Sequence, residues 1–131
     1  MKKTIFLMSA LSLVLAFGVS AMGQRAQRIT FAKGRTSATV TGTLSGYKSK
    51  KTFVIRVRRG QTLTTENTGT NSITISVKAP PGSTYEQDMA ADCHDRNEVN
   101  PTAAGDYRIT VVECMKADRW RGAFKFRVRV R

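Results

Sequence analysis

The chain has 131 residues, 40% of them hydrophobic and 24% charged, which suits one domain with its own core and excludes several. Lys and Arg number 22 against 9 Asp and Glu, a net charge of +13, which suits an anionic partner: nucleic acid, an acidic envelope polymer or a carboxylate-lined cleft. One His and two Cys exclude a Cys/His zinc array.

The chain opens Met1-Lys2-Lys3 and then runs apolar from Ile5 to Phe17. A cationic start, a short apolar run and small residues at Val19 and Ala21 read as a secretory signal peptide, residues 1–21. A membrane anchor is the alternative, but the run is short and Gly18 and Ser20 close it. No Cys follows the run to carry a lipid. The single domain expected is then 22–131, 110 residues, and losing two Lys and no acid takes its charge from +13 to +11.

After a polar lead-in, Ile29 to Phe31 reads as a short first strand and Ala32 to Arg35 as a turn. From Ala38 to Leu44 small and apolar residues alternate with Thr39, Thr41 and Thr43, a strand pattern dense in Thr. Ser45-Gly46 ends it, and Tyr47 to Lys51 is a basic loop. Thr52 to Val57 is a strand with Phe53, Ile55 and Val57 on one face. Arg58 to Gln61 turns the chain, and Thr62 to Asn67 is expected to pair back. Thr68 to Asn71 turns again before a strand from Ser72 to Lys78, with Ile73, Ile75 and Val77 inward. Pro80-Pro81-Gly82 stops pairing, because Pro cannot donate to a ladder.

Residues 84–102 have a weak pattern and five acids, Glu86, Asp88, Asp92, Asp95 and Glu98; they read as an irregular excursion with room for one short strand. Gly105 to Arg131 is the clearest stretch. Tyr107, Ile109 and Val111 share one face; Phe124, Phe126, Val128 and Val130 do the same further on, opposite Lys125, Arg127, Arg129 and Arg131. The pattern predicts a hairpin that presents the basic, Trp-bearing loop from Met115 to Gly122. No segment has helical periodicity over ten residues. The fold class expected is all-β, an antiparallel β-sandwich of about seven to eight strands, with a small closed barrel as runner-up.

Little in this pattern resembles an active site. His94 follows Cys93 directly, and neighbours on an extended chain point apart and seldom form a catalytic thiol–imidazole pair. In an exported chain the default for Cys93 and Cys114 is a disulfide. The acids of 84–102 match no Ca²⁺-loop spacing and read as a solvated segment offsetting the basic surface. There is no phosphate loop and no nucleophile elbow. No catalytic residue, metal or cofactor is expected. Phe124 and Phe126 share a face with Val128 and Val130 and read as core, not as base-stacking platforms. Tyr47 and Trp120 stand in basic loops where a large ring has no obvious core duty, as interface anchors do, though Trp120 also has the option of folding back over a sheet end.

With these residues in place the chain resembles the periplasmic inhibitors of g-type (goose-type) lysozyme. The likeness runs from about Ile29 to Val130. It is clearest in Phe31 to Gly34, Ser37-Ala38, Gly42, Gly46-Tyr47, Thr52-Phe53, Gly60-Gln61 and Gly105-Asp106-Tyr107, and fainter from Lys78 to Thr102. The resemblance implies a β-sandwich that is not an enzyme and acts in the periplasm by occluding a lysozyme's substrate cleft. Its Ser-Gly-x-Tyr type motif stands here as Ala104-Gly105-Asp106-Tyr107, with Ala in place of Ser. It implies target contacts from Tyr47, Gly105, Tyr107, Arg119, Trp120 and the loop cations. Met115 stands where a second Arg is expected, with Lys116 or Arg121 as substitutes. The partner implied is a g-type lysozyme, with no nucleic acid, no membrane after signal removal, and a monomer or homodimer. The rivals are a basic sandwich binding an anionic envelope polymer or nucleic acid, and a carbohydrate- or Ca²⁺-binding accessory domain.

Overall fold

The computed structural model describes residues 25–87 and 93–131. The expected signal peptide, Asp88 and Asp92 lie outside them. Eight strands form: β1 (Gln27–Arg28), β2 (Ser37–Ser45), β3 (Lys50–Val57), β4 (Leu63–Asn67), β5 (Ile73–Lys78), β6 (Arg96–Val99), β7 (Gly105–Glu113) and β8 (Arg121–Val130). They make two four-stranded sheets, β1-β3-β7-β5 and β2-β8-β4-β6. All pairings are antiparallel except β1 with β3.

All odd-numbered strands lie in one sheet and all even-numbered strands in the other. Every connection therefore arches from one layer to the other, and consecutive strands never pair. This corrects two expectations. β4 does not pair back on β3 but joins β8 and β6 in the other sheet. β7 and β8 are not a hairpin either: β7 pairs with β3 and β5, β8 with β2 and β4. The reason is burial. Both strands carry a dry face, and arching sets Tyr107, Ile109 and Val111 in one layer of a core whose other layer includes Phe124, Phe126 and Val128. The first strand also shifts, to Gln27–Arg28, while Ile29 continues by donating its N–H to the Val54 carbonyl (2.8 Å).

Phe53, Phe124 and Phe126 meet in the middle of the core, with ring centroids 5.5 and 6.3 Å apart. Gly42 on β2 lets the Phe124 ring lie against the backbone: a Cβ there would sit 2.5 Å from Cζ. The outer edge of β5 is closed by side chains. The Gln87 amide accepts from Val77 N–H and donates to the Ile75 carbonyl (3.0 Å), as a neighbouring strand would. The excursion after Lys78 holds β6, the short strand for which the acidic pattern left room. Among the described residues no group of three His, Cys, Asp or Glu gathers to hold a metal.

Candidate functional site

The arches β2–β3, β4–β5 and β7–β8 collect at one end of the sandwich. Each is fixed by its own short-range bonds. Ser49 N–H donates to the Gly46 carbonyl (3.0 Å), closing a turn that carries Tyr47. Ala117 N–H donates to the Cys114 carbonyl (3.2 Å) at the start of the β7–β8 arch. The arches are then laced together. Tyr47 donates its hydroxyl to the Ala117 carbonyl at 2.7 Å. The Ser72 carbonyl accepts from Cys114 N–H (3.2 Å) and from the Trp120 indole (3.0 Å). Asn71 donates its side-chain amide to the Ala123 carbonyl (2.6 Å). Cys93 and Cys114 are disulfide-bonded, tying the acidic excursion to the root of the β7–β8 arch.

A concave surface of about 760 Å³ lies between these arches, lined by Ser45, Gly46, Tyr47, Lys48, Met115, Arg119, Trp120 and Arg121. The Arg119 guanidinium sits 4.9 Å from the Tyr47 ring centroid, a cation–π geometry. Arg119 and Arg121 are exposed, Tyr47 and Trp120 half-buried. Trp120 does both things that a ring there can do: it packs on the core at the sheet end and also lines the concavity.

Four of the seven residues named from the sequence, Tyr47, Arg119, Trp120 and Arg121, therefore come together. Lys116 is exposed on the same arch but does not line the concavity. Gly105 and Tyr107 do not join them. They begin β7, and the concavity lies beyond its other end, about 27 Å away at ~3.4 Å per residue. Tyr107 is 0% exposed, and its hydroxyl accepts from Ala103 N–H (3.0 Å). Gly105 has φ +140°, and a Cβ there would meet Pro80 at 2.9 Å. Packing and backbone geometry account for their spacing.

Sequence reasoning missed two features. Met115, read only as a missing Arg, is 61% exposed and adds a large apolar side chain to the rim. Glu113 is 0% exposed under the arches. Its Oε1 accepts from Trp120 N–H (2.8 Å), and its Oε2 has no hydrogen-bond partner. The signal was present: Glu113 continues the inward parity of Tyr107, Ile109 and Val111.

Sandwiches of this architecture are known. The chain is similar to the periplasmic inhibitor of g-type lysozyme, PliG, of Aeromonas hydrophila, with TM-score 0.63 and 20% identity over 81% of this chain and 96% of that one. It is similar to PliG of Salmonella Typhimurium, with TM-score 0.58 and 16% identity over 82% and 98%. A pre-peptidase C-terminal domain of a Bacillus anthracis collagenase also matches, with TM-score 0.51 and 17% identity over 83% and 97%. The chain thus has the fold of the g-type lysozyme inhibitors, a fold that also serves in an enzyme's accessory domain. No family model matches the chain, nor does any curated protein.

Proposed function

We propose that this protein is a periplasmic inhibitor of g-type lysozyme that blocks the enzyme's substrate cleft with the arch end of the sandwich. The observation that carries the proposal is the Tyr47–Arg119 stack on a concave surface of a sandwich with the PliG fold. A lysozyme cleft is lined with acids that work on peptidoglycan. A planar guanidinium presents paired N–H donors to such a carboxylate. The Tyr47 ring holds the Arg119 guanidinium over its face before the encounter, so less rotamer freedom is lost on docking. Met115, Trp120 and the Tyr47 ring supply the apolar part of the contact, and Lys48 and Arg121 the cationic rim. The reading includes export by residues 1–21 and no catalysis by the chain itself.

The test is a lysis assay. The purified protein is titrated into g-type, c-type and i-type lysozymes acting on the same cell walls. Stoichiometric inhibition of the g-type enzyme is the expected result. No inhibition of it at any ratio, or inhibition that scales with wall material instead of enzyme, would end the proposal.

A further inference from the structure

A second surface lies on the outer face of the even-numbered sheet. Along β8, Lys125, Arg127 and Arg129 point outward two residues apart, and Arg131 continues the row past the strand end. Steps of two residues place the charges ~7 Å apart, within one Debye length of each other at physiological salt. Among the described residues the ion pairs are Arg28–Asp106 and Arg96–Glu66, so none of the four is in an ion pair; Glu66 stands opposite Arg127 in the register but pairs with Arg96. Four like charges on one face repel one another, and an anionic ligand would turn that repulsion into attraction. The strand register sets hydroxyls beside them: Thr41 opposite Lys125, Thr39 opposite Arg127, Thr64 opposite Arg129. A concavity of about 420 Å³ follows Arg127, Arg129 and Arg131 toward β6.

We propose that this row is a docking track for a linear anionic polysaccharide, separate from the lysozyme-facing end and independent of it. The shape favours a chain over a bilayer. The β8 cations form one line, flanked by uncharged Thr on β2 and, on the other side, by Glu66 and Glu98 with Arg96 among them, and acids there would repel a broad anionic surface. The chemistry favours sugar over single-stranded nucleic acid. The aromatic residues of β8, Phe124 and Phe126, are buried, so this face offers no ring for a base to stack on. Guanidinium groups pair with carboxylate or sulfate, and Thr, Glu98 and Asn100 can exchange hydrogen bonds with sugar hydroxyls.

Heparin is the probe, with neutral dextran, oligothymidylate and anionic lipid vesicles as the other arms. Heparin is expected to bind with a salt-dependent affinity and dextran not at all. Arg127→Ser with Arg129→Ser should weaken heparin binding about tenfold and flatten the salt slope by about 1.4, at ~0.7 for each cation withdrawn from a single anionic strand. Lys78→Ser with Arg108→Ser removes the same charge from the outer face of the odd-numbered sheet and should leave affinity within about twofold by the same charge argument. Arg127 is exposed and Arg129 half-buried, so the β8 variant should keep a cooperative melt close to the parent's, which a thermal scan checks. Failure of heparin to bind, or equal losses in both double variants, overturns the track. Oligothymidylate binding as tightly as heparin overturns the polysaccharide assignment, and vesicle capture that depends on Arg127 and Arg129 overturns it in favour of a membrane.

Discussion

Arg119 lies over the ring of Tyr47, and Tyr47 is pinned by its hydroxyl to Ala117. The arrangement makes geometry, not charge alone, the thing to test. Arg119→Lys keeps the charge and loses the planar fork, so it should lose most of the inhibition that Arg119→Ala loses, on the order of tenfold or more in inhibition constant. Inhibition by Arg119→Lys at the parent's level would show that the stack is incidental. Beneath the stack, Glu113 supplies the acceptor for Trp120 N–H. Glu113→Leu leaves that donor unpaired and should cost roughly 1–3 kcal/mol. Glu113→Gln keeps an acceptor oxygen and should cost less; denaturant unfolding of the two side by side reads the difference. That Tyr47 and Trp120 stand at the surface was legible in the sequence because they are large rings in basic loops, although Trp120 also packs on the core; Arg119 was named only through the family resemblance. Tyr107 does not reach the concavity, because its Gly-x-Tyr spacing also opens a buried strand. Its parity with Ile109 and Val111 was the better guide, and the same parity reaches Glu113.

At the level of elements, alternation located most of the strands but not their partners. An amphipathic strand states which face is dry, not which sheet it joins. The seven residues between Glu113 and Arg121 serve an arch as well as a hairpin. Pairing was decided by the whole set of dry faces, which pack only when successive strands alternate between layers. β2 records that layering at Gly42, where the Phe124 ring takes the space of a side chain. Gly42→Ala should destabilise by ~1–3 kcal/mol through overpacking, and Phe124→Leu in the same chain should recover part of it. Additive losses in the double variant would show that the contact is not the cause. At the β1 margin of the odd-numbered sheet, Arg28 reaches across β3 to Asp106 on β7, with N–O distances of 3.1 and 3.2 Å. The hydrogen bond and charge of Arg28 hold the Asp106 carboxyl below its ordinary value. A carboxyl lowered in the folded state contributes stability above its unfolded value and loses it as pH falls through the lowered one. An NMR titration should therefore find Asp106 below the usual carboxylate range, and Arg28→Gln should bring it back up.

At the scale of the whole molecule the disulfide and the charge decide how the two surfaces behave. Cys93 and Cys114 are 21 residues apart, and a closed loop of that size should stabilise by about 3 kcal/mol. Reduction, or Cys93→Ser with Cys114→Ser, should lower stability by about that much and loosen the arch that carries Arg119. The chain's charge is +13, or +11 without residues 1–21. Many lysozymes are themselves basic, so under the proposed function the two proteins would repel at long range, and attraction would exist only where Arg119 and its neighbours met acids in the cleft. Salt screens the long-range part first, because charges farther apart than about 10 Å at 0.1 M are largely hidden from each other, while a desolvated contact is not. Moderate salt should therefore leave lysozyme inhibition unchanged or improve its association rate. The β8 row behaves oppositely: its ligand carries the attracting sign over the whole track, and salt should weaken that binding steeply. Measured on one protein preparation, the two titrations should have salt dependences of opposite sign. Inhibition that falls with salt in step with heparin binding would mean that one polyanion-like interaction underlies both, and that the arch end has no contact of its own.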